Sequence, residues 1–186
     1  MTLWLARHAK PLIESGICYG ALDMPADAAL TLAAAQGLAA AVPHGLVVQV
    51  SPLQRCQQLA DCLATLRRDL QFATDKRLTE MDFGSWEGTP WAEIPRAAVD
   101  AWTADFATHR FGGKESANEV LARVGAVWDA LGTDRDTLWI AHSGVAQAAA
   151  LLHKGMRRVA QASDWPLSSL AYGAWVVYPQ ADPLTR

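Results

Sequence analysis

The chain has 186 residues, 51% of them hydrophobic and 19% charged, with a formal net charge of −3. This composition excludes disordered, collagen-like and fibrous classes. The acidic balance excludes the broadly basic surface that nucleic acid requires, and leaves room for a small, locally positive pocket.

In chain order, Thr2 to Ala6 is a short run of bulky apolar residues and predicts a buried strand. A polar segment follows at Arg7, so the run is too short for a signal peptide or a membrane span. A soluble, cytoplasmic protein with no membrane contact is expected. Residues 9–27 carry Pro11, Gly16, Gly20 and Pro25 and predict a long loop. An Ala-rich helix is expected from Thr31 to Ala41, ended by Pro43 and Gly45. Leu46–Val50 predicts a second buried strand. Ser51-Pro52 then predicts an N-cap followed by proline at the first helical position, with the helix running to about Arg67. Leu70–Ala73 is a weaker strand.

Residues 74–115 are punctuated by Gly84, Gly88, Pro90, Pro95, Gly112 and Gly113. They predict an irregular excursion, with about 84–115 forming an inserted cap. A helix starts at Glu115-Ser116, with Val120, Leu121, Val124, Val127 and Leu131 on its apolar face and Gly132 near its end. Thr137–Ala141 predicts a buried strand, Ser143–His153 a helix and Leu170–Tyr178 a final strand. The alternation implies the α/β class with a mostly parallel sheet. A core of this size buries roughly 70% of the unfolded surface, so residues 1–186 are expected to form one domain. Cys18, Cys56 and Cys62 are odd in number and lack C-x-x-C spacing, which predicts free packing thiols rather than disulfides or a zinc site. His44, His109 and His153 have no metal-ligand spacing, and no metal or other cofactor is expected.

Three strand ends carry the chemistry. Arg7-His8 follows the first strand, Ser51 to Arg55 the second, and His142-Ser143-Gly144 the last internal one. Ligands of open α/β sheets bind beyond the carboxyl ends of the strands. Arg7, His8, Arg55 and His142 can therefore converge, together with two helix N-termini, on one phosphate-sized anion. Neighbouring guanidiniums lower an imidazole pKa, so His8 can attack phosphorus as the neutral base while its other nitrogen donates to a carbonyl. Arg7, Arg55 and His142 would hold the equatorial oxygens. The leaving oxygen needs a proton, and either Glu80 or Asp82 in the loop 78–84 could supply it.

Arg7-His8-Ala9 resembles the Arg-His-Gly signature of the histidine phosphatase superfamily, which includes cofactor-dependent phosphoglycerate mutases. The resemblance extends over 51–56, 78–88, Gly113 to Ser116 and 141–144, all in order. It implies a three-layer α/β sandwich with a small cap, His8 as phosphorylated nucleophile, and Arg7, Arg55 and His142 as phosphate ligands. It also implies Glu80 rather than Asp82 as proton donor, and later as base for water. Ile17 to Pro25 and the Asp82-Phe83-Gly84-Ser85-Trp86-Glu87-Gly88 stretch resemble alpha-ribazole phosphatases, which act late in cobalamin nucleotide-loop assembly. Ala9 stands where the signature has Gly, and Ala21 where Arg is common in the ribazole group.

The implied function is metal-independent hydrolysis of a small phosphorylated metabolite, with alpha-ribazole 5′-phosphate the leading substrate. Rival readings are a phosphoglycerate mutase, a phosphoprotein phosphatase of the same superfamily, or a non-catalytic module binding phosphorylated ligands. The short tail after Tyr178 offers little to exclude water, which favours hydrolysis over mutase action. Cys18, Tyr19 and Gly20 are expected at the pocket mouth as substrate contacts. Glu87 and Glu115 are expected to cap helices or orient the site. Trp86 and Trp91 are expected in packing, or facing an aromatic substrate. Ser143 is not read as a hydrolase nucleophile, because Ala141 and Val145 replace the elbow glycines. A homodimer is left open.

Overall fold

The computed structural model describes residues 1–132 and 134–179. The tail invoked above lies outside them beyond Pro179. Five strands form one sheet: β1 (Thr2–Arg7), β2 (Val47–Val50), β3 (Gln71–Thr74), β4 (Thr137–Ala141) and β5 (Trp175–Pro179). Their order is β3-β2-β4-β1-β5, parallel except for β5, which runs antiparallel to β1.

Alternation along the strands builds two cores. Leu3, Leu5, Trp139 and Ala141 face α4 (Ala117–Asp129) and α5 (Ser143–His153). Ala6, Val48, Val50, Leu138 and Ile140 face α1 (Ala28–Ala41) and α2 (Gln54–Leu66). Strand β4 is buried along its whole length, as a central parallel strand must be. Trp139 carries an indole N–H into that interior, and Gln49 Oε1 accepts it at 2.6 Å. A short α3 (Arg96–Ala104) lies in the 84–115 segment. That segment has a small aromatic core of its own, where Phe83, Trp86 and Trp102 pack around Ile94, Phe111 and Cys18.

Three boundaries depart most from expectation. Helix α1 starts earlier, at Ala28, because Asp27 accepts the Leu30 N–H and serves as its N-cap. Helix α2 starts later, at Gln54, without a side-chain cap of its own. The final strand begins at Trp175 rather than Leu170, because a turn at Gly173 (φ +71°) intervenes.

Ser116 caps α4 in a reciprocal box with Glu119. Ser116→Ala is expected to lower the unfolding free energy by about 1 kcal/mol, measured by urea denaturation.

Candidate active site

The parallel register assembles the site. Arg7 pairs with Ala141 across β1 and β4, and Val50 with Ile140 across β2 and β4. The next residues along β1 and β4 are therefore His8 and His142, level with each other at the carboxyl edge, and the next along β2 is Ser51, one step back beside Ala141. His8 N–H donates to Ala141 O and Ser51 N–H to Ile140 O, extending both ladders by one residue.

The two imidazoles lie edge to face, with ring centroids 5.0 Å apart. His8 is 2% exposed and His142 fully buried. His8 Nδ1 donates to Ala9 O at 2.6 Å. A carbonyl only accepts, so Nε2 carries no proton, and its lone pair accepts from Arg55 Nε–H at 3.2 Å. Burial holds the His8 pKa down to about 3, with Arg55 and Arg7 adding to the shift and the Ala9 carbonyl opposing it. His142 is also held well below the ordinary imidazole value, first by burial and then by His8 and Arg55. His142 Nε2 is 2.7 Å from Ser51 Oγ. Ser51 therefore orients His142 instead of capping α2, correcting the expected N-cap. Ser51 Oγ also takes a long 3.4 Å contact from Leu53 N–H, and the buried Cys56 Sγ lies 3.5 Å from the same His142 Nε2.

Arg55 is fully buried. Its Nη2 donates to Gly20 O at 2.6 Å, and its Nη1 to Leu22 O at 2.8 Å and Met24 Sδ at 3.4 Å. With Nε on His8, this leaves one Nη2 N–H uncommitted among the described residues. Arg7 donates from Nη1 to Leu170 O and lies beneath the Tyr172 ring, 3.9 Å from its centroid. Its buried Nε has no partner among the described residues. Tyr172 also bonds Tyr19 through the two hydroxyls at 2.7 Å. The tyrosines form a bridge beside both guanidiniums, with Tyr19 5.8 Å from Arg55.

Glu80 sits at the start of α5, accepting the Gly144 N–H at 3.0 Å. A Cβ on residue 144 would lie 2.4 Å from Glu80 Oε1, so glycine there makes room for the carboxylate. Arg123, paired with Glu115 at 2.6 Å, donates to Thr79 O and fixes the backbone just before Glu80. Glu115 thus braces this loop rather than capping a helix. Asp82 accepts the Gly84 N–H, as a turn residue does. At each of the two helix starts a carboxylate takes one N–H: Glu80 that of Gly144 at α5, and Asp23 Oδ1 that of Gln54 at α2.

Beside Glu80 opens a cavity of about 260 Å³ lined by Tyr19, Met81, Phe83, Trp102, Phe106, Trp165, Gly144 and Gln147. Trp86 and Trp91 are not in this lining. Trp91 stacks on Phe111 at 5.9 Å, and Trp86 lies tilted on the same ring. Of the three residues expected at the mouth, Tyr19 lines the cavity. Gly20 is buried and acts through its backbone, and a Cβ there would meet Met81 O at 1.9 Å. Cys18 is a correction: it is fully buried against Ile94 and Phe111, and burial followed by Glu87 pushes its thiol up to about 12. Tyr172, Trp102, Phe106 and Trp165 were not singled out by sequence reasoning. Among the described residues, no cluster of three or more His, Cys, Asp or Glu could hold a metal ion, and no helix is long and apolar enough to cross a membrane.

No curated protein matches the chain significantly. Among solved structures, it is similar to the alpha-ribazole phosphatase from Shigella flexneri, with 26% identity and a TM-score of 0.78 over 95% of this chain and 89% of that one. It is also similar to the native mycobacterial glucosyl-3-phosphoglycerate phosphatase, with 26% identity and a TM-score of 0.77 over 95% and 88% of the two chains. The complex of that mycobacterial enzyme with inorganic phosphate matches at 27% identity and the same TM-score and coverage. The sequence model of the histidine phosphatase superfamily (branch 1) matches residues 3–173, from the first strand to the turn that carries Tyr172. The chain belongs to the histidine phosphatase superfamily.

Proposed function

We propose that this protein is a phosphomonoesterase that works through a phosphohistidine on His8. The observation that carries the reading is the neutral His8 Nε2 lone pair, held among His142, Arg55 and Arg7. The arriving phosphoryl group takes the space into which Arg55 Nε–H points. The Nε2 pair forms the N–P bond as the ester O–P bond breaks in line. Arg7 Nε–H, Arg55 and His142 stabilise the equatorial oxygens. Glu80 gives its proton to the leaving alkoxide. It then takes a proton from water as the water oxygen attacks the phosphohistidine and the pair returns to Nε2. These residues fill every role without a metal or cofactor, which makes a histidine acid phosphatase-type hydrolase the best reading.

The substrate we infer is alpha-ribazole 5′-phosphate or a similar small phosphorylated metabolite, in a cytoplasmic step of cobalamin assembly. The likeness to the Shigella enzyme supports this, but the mycobacterial sugar-phosphate phosphatase is equally similar. The cavity favours the former. Its walls are mainly Phe83, Trp102, Phe106, Trp165 and Met81, which suit an alcohol bearing a flat apolar ring better than a glycosyl glycerate. The segment 84–115 supplies Trp102 and Phe106 and acts as the cap that selects the alcohol.

A screen of phosphorylated metabolites tests the reading. Alpha-ribazole 5′-phosphate is expected to give the highest kcat/KM, above phosphoglycerates and phosphopeptides. Exchange between 2- and 3-phosphoglycerate would show a mutase, and ligand binding without turnover would show a binding module. Glu80→Gln is expected to slow alkyl esters by about 100-fold or more and p-nitrophenyl phosphate much less, since nitrophenolate barely needs a proton. Gly144→Ala, whose methyl displaces the Glu80 carboxylate, should show the same selectivity in steady-state kinetics.

The depressed imidazoles set a pH dependence. Between about 3 and the ordinary 6.5, the unfolded chain binds a proton at residue 8 that the folded protein refuses. Stability therefore falls as pH drops through that window. His8→Asn should flatten the decline by up to about 1.4 kcal/mol per pH unit, followed by denaturation at several pH values.

A further inference from the structure

Outside the reacting groups, one carboxylate is bonded in an unusual way. Among the described residues, Glu87 pairs with no cation. Its two oxygens accept four backbone N–H groups instead: Gly20 at 2.9 Å and Leu22 at 3.0 Å on Oε2, Ala21 at 2.9 Å and Phe83 at 2.9 Å on Oε1. Three consecutive amides turned to one side make a concave anion site, here filled by the protein's own side chain. The carbonyls of Gly20 and Leu22 emerge elsewhere, and both accept from the Arg55 guanidinium.

We propose that Glu87 is a positioning residue for phosphate capture: by clamping the amides of residues 20–22 it fixes the two carbonyls that aim Arg55 at His8. The inference rests on the phosphate-site reading above. Its physical basis is the stiffness of the guanidinium. A planar fork held at both Nη atoms has no freedom left at Nε, so Nε–H must point where the loop sends it. Without the clamp the loop keeps its steric fit, since Gly20 packs on Met81 O, but loses the charge that orders its peptide planes. Arg55 then samples other directions, and the anion meets a guanidinium that must be ordered on binding. Neutral glutamine is the informative replacement. It keeps the shape but turns one acceptor oxygen into an NH₂ facing two N–H groups, so two amides lose their partner.

Calorimetric titration with inorganic phosphate and steady-state kinetics with p-nitrophenyl phosphate test the relay in wild type, Glu87→Gln, Arg55→Met and the double variant. The expected result is a weakening of phosphate binding and a rise in KM by about tenfold in Glu87→Gln, the effect of one weakened charge-assisted hydrogen bond. In the Arg55→Met background the same change should alter kcat/KM less than twofold, because no guanidinium is left to aim. Equal losses in both backgrounds would make Glu87 a purely structural residue and overturn the proposal, as would an unchanged phosphate affinity in Glu87→Gln. If Glu87→Gln does not fold, Glu87→Asp takes its place in the same cycle. Aspartate keeps the charge but is one methylene shorter, and the same non-additivity with Arg55 is expected. Wild-type protein that bound no phosphate would overturn the phosphate-site reading instead.

Discussion

Two neutral imidazoles buried side by side are the constraint on which the rest of the site depends. A protonated imidazole would be costly in this interior, and two guanidiniums nearby make it costlier. Both rings are therefore bases or neutral donors. Ala9 O fixes the His8 proton on Nδ1, and Ser51 Oγ orients the His142 ring through Nε2. The positive charge sits instead on arginines, which keep their protons at any physiological pH. In the proposed reaction, nucleophile and electrostatic stabiliser are thus separate groups, and the pocket can be cationic while its base stays unprotonated.

The sheet delivers this arrangement cheaply in structural terms. Three neighbouring parallel strands end within one residue of each other, so the residues just beyond their ends fall together at one edge of the sheet. Loops then complete it from two sides. The segment 18–24 brings carbonyls and Asp23 against Arg55 and the start of α2. The turn at 170–173 brings Leu170 O and Tyr172 onto Arg7. Glu80 arrives on a third segment braced by Arg123, and its carboxylate takes an N–H at the start of α5.

Much of this was legible in the residues. Buried strands followed by Arg7-His8 and by His142 marked the reacting edge, because a run of bulky apolar residues that stops at a charged one has few meanings in an α/β chain. The meaning of Ser51 was hidden, since Ser-Pro after a strand satisfies the rules for a helix start while its hydroxyl was needed by a partner 91 residues away. Tyr172 was hidden inside an aromatic, β-branched stretch that reads as strand until Gly173 turns it. The walls of the cavity were hidden for a similar reason. Trp102, Phe106 and Trp165 lie in irregular or short helical segments, where no periodicity tells which aromatic faces a cavity and which, like Trp91, stacks on Phe111. Cys18 sits next to a cavity residue in sequence but points its burial into another core.

The most direct measurement is to trap the enzyme during turnover in alkaline quench and map the phosphoryl group by peptide mass spectrometry and ³¹P NMR. The hydrogen bond from His8 Nδ1 to Ala9 O leaves only the other nitrogen to react, so the account predicts one phosphohistidine at His8, substituted on Nε2. Phosphate on Nδ1, on Ser51, Ser143 or His142, or turnover with no phosphoenzyme under conditions that trap covalent intermediates, would contradict it.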